Sequence, residues 1–240
     1  MTDISTTLIL KWDVVYKGSY RSINATKAFV DIKRRIRLLI KPEFGAFIDD
    51  WVRDAQTRLE DELRLRVMEE HKTETVLEGK KSIDIPNDYL ELIVFYIVED
   101  STRIPLYDRY QPRKFVETFR NVDIANEGSP RWFAMIGRTM EFDKYTDADY
   151  EYGIVYYKRF PTLVEEDDIN WWTENRSDLL FYATLVEAIP YIGKDERMVL
   201  WQNKKDSLVE DLKNQDKKER RSGNGNPLYP VNVFLSDNRK

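Results

Sequence analysis

His71 is the only histidine in the chain, and there is no cysteine. Zinc sites assembled from imidazole and thiolate ligands need more of both, so that chemistry is excluded. A cysteine nucleophile is excluded as well. A serine nucleophile would need His71 as its base and a G-x-S-x-G turn to expose it, and no such turn occurs. His71 reads instead as a surface or helix-end residue. The 43 acidic residues make candidate carboxylate pairs for glycoside hydrolysis so abundant that no pair stands out. Glu165-Glu166-Asp167-Asp168 lacks the spaced Asp/Asn and Gly of a calcium loop and reads as a solvated acidic linker. There is no P-loop, and Gly223-Asn224-Gly225 lacks the strand, helix and further glycine of a dinucleotide site. These residues point to no active site, no metal and no cofactor.

One charge pattern remains. Residues 27–40 read as an amphipathic helix with Phe29, Ile32, Ile36 and Leu39 on one face and Lys27, Lys33, Arg34, Arg35 and Arg37 as its charges. Lys33, Arg34, Arg35 and Arg37 are the candidate contact to DNA or an acidic partner. A solvated helix face is the favoured alternative, because a basic helix without exposed aromatics is a weak nucleic-acid signal. Net charge is −5, yet residues 1–43 carry nine Lys/Arg against four Asp/Glu. The rest is therefore acidic, which argues against simple coating of duplex DNA.

The element around which the chain is organised starts at Phe44. Ile48, Val52, Ala55, Leu59, Leu63 and Val67 recur three or four apart, predicting one long helix over 44–70. Asp49–Arg53, Asp54–Arg58, Glu60–Arg64 and Glu62–Arg66 are its expected i,i+4 pairs. Trp51 and Leu65 fall off the stripe and suggest a second contact surface. Thr73–Leu77, the Glu78-Gly79 turn and Ile83–Ile85 predict a hairpin. Glu91–Val98 predicts a buried strand, and Ile104–Tyr107 its return after Glu99-Asp100-Ser101. A short helix follows over 110–121, with Phe115, Val116 and Phe119 on one face. Trp132–Ile136 and Thr139–Phe142 flank a Gly137-Arg138 turn, and Tyr150–Lys158 is another strand.

Two helices close the pattern. One runs from Asp178 to Ile189, with Ser177 as its cap, a stripe of Leu179, Tyr182, Ala183, Val186 and Ile189, and Pro190 kinking or ending it. The other runs from Glu196 to Lys217 behind Asp195, with Met198, Trp201, Leu208 and Leu212 inward. Together they read as an αα-hairpin whose partner is the 44–70 helix. Residues 5–17 read as a strand in which Leu8, Leu10, Trp12 and Val14 alternate with Thr7, Ile9, Lys11 and Asp13. Beyond a charged, Gly-rich linker, Tyr229, Val231, Val233 and Leu235 alternate again, either as a disordered end or as a segment that pairs with a neighbour.

The expected fold class is α+β. A helical bundle, one long helix plus a C-terminal αα-hairpin, carries an inserted antiparallel β-rich domain. The expected division is 1–43 as an extension, 44–70 with 170–216 as the helical domain, 71–169 as the β-rich domain, and 217–240 as a flexible tail. No apolar run approaches membrane-span length, and Met1-Thr2-Asp3-Ile4 does not open a signal peptide.

An ordered set of segments over about residues 44–220 resembles the head–tail adaptors of tailed bacteriophages, most closely the β-containing adaptors beneath the portal of short-tailed phages. The set comprises Leu63-Arg64-Leu65-Arg66-Val67-Met68-Glu69, Ile85-Pro86-Asn87-Asp88-Tyr89-Leu90-Glu91-Leu92, Ser129-Pro130-Arg131-Trp132-Phe133, Tyr152–Pro161, Asn170-Trp171-Trp172, Asp178–Ala183 and Asp195-Glu196-Arg197. The resemblance implies a structural virion protein made in the host cytoplasm and sited at the head–tail junction. It implies a ring of copies, usually twelvefold, below the portal protein. That ring would extend the channel for genomic DNA and dock tail or nozzle proteins, with no membrane contact. It also implies a portal contact for the C-terminal segment, here Tyr229, Val231, Val233, Phe234 and Leu235.

Two other classes stand beside it. One is a virion-associated cell-wall hydrolase using carboxylates. The other is a cytosolic nucleic-acid-binding module using the basic 27–41 helix.

Overall fold

The computed structural model describes residues 29–108, 111–119, 127–193 and 196–222. The strand expected over 5–17, the Asp195 cap and the Tyr229–Leu235 segment lie outside the described residues. The elements in chain order are α1 (Phe29–Arg37), a 3₁₀ turn (Pro42–Phe47), α2 (Ile48–Glu62), a second 3₁₀ turn (Arg66–Met68), β1 (Glu69–Val76), β2 (Ser82–Asp84), β3 (Tyr89–Glu99), β4 (Thr102–Pro105), α3 (Pro112–Thr118), β5 (Phe133–Ile136), β6 (Thr139–Phe142), β7 (Tyr150–Lys158), α4 (Trp171–Asn175), α5 (Ser177–Ile192) and α6 (Met198–Ser222). The fold is a mixture of helices and antiparallel sheet, the α+β class.

The chain forms two compact units. One is helical and is built from the chain up to Leu63 and from Pro161 onward; the other is Arg64–Phe160. These edges differ from the expected 71 and 169 for local reasons. The organising helix ends at Glu62, because Leu63 is extended (φ −112°, ψ 143°) and Leu63-Arg64-Leu65 buries alternate residues. A helix cannot bury i and i+2 while exposing i+1, whereas an extended chain does so naturally. At the other edge, the 161–169 loop belongs with the helices: the carbonyls of Asp168 and Glu166 accept the Phe29 and Val30 N–H groups that begin α1, each at 3.0 Å.

In the helical unit, α5 packs against α1, α2, α4 and α6. It buries Leu179, Leu180, Phe181, Ala183, Thr184, Leu185 and Ala188. The expected single stripe is thus too narrow: Tyr182, Val186 and Ile189 are only partly buried, because a helix surrounded by neighbours has no one apolar face. Pro190 does not end α5, which runs to Ile192 before Gly193 turns at φ +80°. Ser177 is not a cap; Arg176 holds the N-cap position without a side-chain cap bond. Asn170 supplies the cap one helix earlier, in a reciprocal box with Thr173 at the start of α4.

The expected i,i+4 pairs along α2 are replaced by others. Arg53 bonds Asp50 at 2.7 Å, Arg58 bonds Glu187 at 3.1 Å, and Glu62 meets Lys205 and Lys213 at 3.6 and 3.1 Å. Arg64 reaches Glu91 within the β-rich unit instead of Glu60, because the helix stops before it. Long side chains on a packed helix thus find partners on neighbouring segments.

The β-rich unit has a four-stranded antiparallel sheet, β1-β7-β3-β4, and a three-stranded one, β2-β6-β5. The expected 73–85 hairpin does not form. The Gly79 turn is present (φ +72°), but β1 pairs along its whole length with β7, from Glu69↔Tyr157 to Val76↔Tyr150, and β2 pairs with β6. Alternation sets which face of a strand is buried, not which strand it pairs with. The hairpin Thr139–Phe142 on Phe133–Ile136 forms as expected; the return strand after Glu99 is Thr102–Pro105, two residues earlier than expected, and β3 is not wholly buried, since Ile93 and Val94 are exposed. At that return, Asp100 and Ser101 both take positive φ, the requirement of a tight two-residue turn. The short helix is confined to Pro112–Thr118; Phe115 is buried and Val116 exposed. Between the sheets, Phe95 packs edge-on against Phe133 and Tyr152, with centroids at 5.2 and 5.8 Å.

Candidate functional site

The basic helix α1 sets three apolar residues inward: Phe29, Ile32 and Ile36 are fully buried. The same rotation carries Lys33 inward. Its side chain is 5% exposed, lies 3.2 Å from Asp49 and 3.6 Å from Glu166, and sits over the Phe29 ring at 4.4 Å. Arg35 stacks on Phe181 at 4.2 Å. Arg34 is exposed and pairs with Asp31 at 3.3 Å, while Arg37 is exposed at the end of the helix. The four candidate cations therefore divide: Lys33 is buried, while Arg34, Arg35 and Arg37 are exposed, Arg35 with its guanidinium over Phe181.

A different surface emerges at one end of the helical unit. Phe44 and Phe47 from the 3₁₀ turn, Trp51 from α2 and Tyr191 from α5 form a run of rings with centroids 5.5–6.4 Å apart. Trp51 is buried beneath them, while Phe47 is 48% and Tyr191 58% exposed. The Arg197 guanidinium donates to the Leu39 carbonyl at 3.2 Å and lies over Trp201, which ties the end of α1 to the start of α6. Leu38, Val199 and Leu200 are exposed on these connections. Apolar surface collected at one end of a unit is the signature of a protein contact. The sequence signal was the three-to-four spacing of Phe44, Phe47 and Trp51; Tyr191, beyond Pro190, gave none.

A buried polar cluster locks the helical unit. Gln56 donates to Glu60 Oε1 (2.9 Å) and to the Pro161 carbonyl (3.2 Å). Asn170 donates to Gln56 Oε1 (3.1 Å) and to the same carbonyl (2.9 Å), and the Trp172 indole donates to Glu60 (3.2 Å). Glu60 is 2% exposed. Donors that satisfy a buried carboxylate this way hold two segments together; they do not leave it as a base. Asp168 plays a smaller part of the same kind. Its carboxylate accepts the Val164 and Glu165 N–H groups, which hold its pKa below the usual carboxylate value. The acidic loop is thus a structural turn.

In the β-rich unit an open cleft of about 610 Å³ lies between the edges of β1 and β2, with Lys72, Glu74, Ile83, Ile85, Tyr152 and Ile154 among its walls. Tyr152 donates to Glu74 at 2.8 Å, and burial followed by this carboxylate pushes its pKa up. His71 is exposed and its Nε2 lies 2.7 Å from the Tyr96 hydroxyl. Among the described residues no group of three His, Cys, Asp or Glu is placed to hold a metal ion, and no helix is long and apolar enough to cross a membrane.

The sequence model of one protein family, described as SU10 adaptor protein, matches residues 27–230. That range takes in both compact units and begins two residues before α1. No curated protein matches the chain. Membership implies a virion component that meets portal and tail proteins. The described surfaces fit that role: an apolar aromatic end and charged helix faces, with the buried carboxylate already satisfied. The chain belongs to the SU10 adaptor protein family, the structural adaptors of the bacteriophage head–tail junction.

Proposed function

We propose that the protein assembles as a twelvefold ring directly below the portal of a short-tailed phage, where it extends the DNA channel and presents the docking surface for tail or nozzle proteins. The observation that carries this reading is the family match across both units. A ring needs a heterologous contact whose rotation closes a circle. The exposed Phe47 and Tyr191 end of the helical unit suits one half of such a contact. Interspersed charges on α2 and α6 suit its register, since charge complementarity fixes orientation more than affinity. The bundle of α2, α5 and α6 acts as the frame that repeats around the ring.

The C-terminal segment with Tyr229, Val231, Val233, Phe234 and Leu235 is the proposed portal contact, reached from the end of α6, which continues to Ser222, beyond the expected tail start at 217. Genomic DNA passes without sequence-specific contacts. The acidic balance of the chain keeps it from adhering to the channel wall, and Arg34, Arg35 and Arg37 are the exposed α1 cations that can meet an acidic partner.

Mass measurement of the purified chain, alone and with purified portal rings, tests the proposal. A chain that joins the portal in equal copy number supports it. A chain that remains free at concentrations far above those of the portal overturns it.

A further inference from the structure

Two exposed surfaces of the helical unit both carry apolar side chains and differ in the sign of their charge. The first is the aromatic end, where Phe47 and Tyr191 stack at 6.4 Å above buried Trp51. Leu38, Val199 and Leu200 extend its exposed apolar area. The segment 37–47 carries Arg37 and Lys41 against Glu43, and Arg197, beside Glu196, is held against that segment by the Leu39 carbonyl. Arg37, Lys41 and Arg197 are all exposed, so the rim of the aromatic end is cationic.

The second surface is the loop 161–169. It carries Glu165, Glu166, Asp167 and Asp168 and no lysine or arginine. Val164 is 57% and Ile169 47% exposed on either side of these acids, while Leu163 is buried and anchors the loop. The Asp168 carboxylate accepts the Val164 and Glu165 N–H groups at 2.7 and 2.8 Å, and the loop carbonyls accept the first amides of α1. The loop is thus held in one shape before any partner arrives, which lowers the ordering cost of a contact. The two surfaces are kept apart. The loop bonds the start of α1 and Arg197 bonds the chain just past its end, so α1, nine residues and ~13 Å long, lies between them. A contact joining one surface to the other across copies is therefore heterologous, and each copy spends both surfaces on two different neighbours. Such a contact closes into a ring when its rotation completes a circle.

We infer that the loop 161–169 of one copy docks on the aromatic end of the next copy, with Val164 and Ile169 against Phe47 and Tyr191, and with Glu165 and Asp167 facing Arg37 and Lys41. This contact rests on the ring reading and supplies its two halves. Apolar burial gives the affinity, and opposite charges fix which surface meets which. The alternatives, loop on loop or aromatic end on aromatic end, bring like charges together and are disfavoured.

Two measurements on the full-length chain, both made with purified portal rings, test this. Because the chain has no cysteine, Val164→Cys or Ile169→Cys can be combined in one chain with Phe47→Cys or Tyr191→Cys. Oxidation of at least one combination is expected to give a ladder of covalent multimers, while the single variants stay uncrosslinked. Copies that gather on the portal in equal number yet crosslink in no combination overturn this contact and leave the ring standing. Crosslinked dimers with no higher ladder overturn its head-to-tail character. A chain that never joins the portal overturns the contact together with the ring. The second measurement uses charge. Glu165→Lys with Asp167→Lys, and separately Arg37→Glu with Lys41→Glu, are expected to weaken association of copies on the portal roughly tenfold or more, and the quadruple variant to regain most of it. All four side chains are exposed, so thermal melts are expected to stay near wild type, which separates lost association from lost folding. A quadruple variant no better than its two parents overturns the contact.

Discussion

The ring of Tyr96 on β3 lies directly across Gly153 on β7, so that a Cβ at position 153 would stand 2.2 Å from its Cζ. The pair faces outward from the four-stranded sheet, yet Tyr96 is only 6% exposed. It is held there by His71 at its hydroxyl and by Arg103 over its face at 5.1 Å. The glycine is therefore required by its neighbour's ring, not by a turn. Gly153→Ala is expected to destabilise the β-rich unit by about 1–3 kcal/mol. Chemical denaturation followed by tyrosine and tryptophan fluorescence measures it. Most of the loss should be absent when the change is made in a Tyr96→Ala background, and an additive double variant would refute the contact.

Asn170 serves three partners: it caps α4, and its amide donates to Gln56 and to the Pro161 carbonyl. Asn170→Ala is expected to cost about 2–3 kcal/mol, the sum of a lost cap and loosened buried polar groups. Asn170→Asp keeps the cap but puts a carboxylate against the Gln56 oxygen and the carbonyl, and it should also destabilise. Thermal melts of the two variants against wild type decide this. A wild-type melting temperature in either would contradict the network.

The basic helix offers a division of roles. Lys33→Met should lower stability by about 1–3 kcal/mol, because Asp49 and Glu166 lose their buried partner. Arg34→Ala and Arg37→Ala, on the solvent side, should change stability by less than ~0.5 kcal/mol. Binding of an acidic partner should follow the opposite order, weakened by the two arginine changes. Denaturation paired with a salt-dependent binding measurement separates the two orders.

Alkaline pH should loosen the β-rich unit before the helical one. Burial, then Asp147, pushes Tyr150 up to about 12, and burial, then Glu74, pushes Tyr152 higher still. Both raised values mean that the folded state holds its proton more tightly than the unfolded chain. The associated stability is fully present below the usual tyrosine pKa of ~10 and is lost as pH rises toward the folded values. Denaturation midpoints between pH 9 and about 12 should fall for wild type and flatten in Tyr152→Phe. An equally steep fall in that variant would contradict the assignment.

Much of this architecture can be read from residue order alone, and the failures share one cause. Tyr150–Lys158, the Gly137-Arg138 hairpin and the tight turn at Asp100-Ser101 are local patterns, so they were legible. The partner of β1 was not, since pairing Glu69–Val76 with Tyr150–Tyr157 spans more than seventy residues of sequence. Helix charges failed for the same reason: Arg58 turned to Glu187 and Glu62 to Lys213, both distant in sequence. Lys33 is the sharpest case. Read along its helix it belonged with Arg34 and Arg35. Its burial depends on Asp49 and Glu166, which no periodicity brings to it. The aromatic end was half legible, through Phe44, Phe47 and Trp51, until Tyr191 completed it.

Electron microscopy of the intact particle that carries this protein tests the central claim most directly. The expected result is density for twelve copies in a closed ring against the underside of the portal, with the C-terminal segment reaching the portal subunits. Density for the chain at any other site on the particle, or a ring with no portal contact, would contradict it.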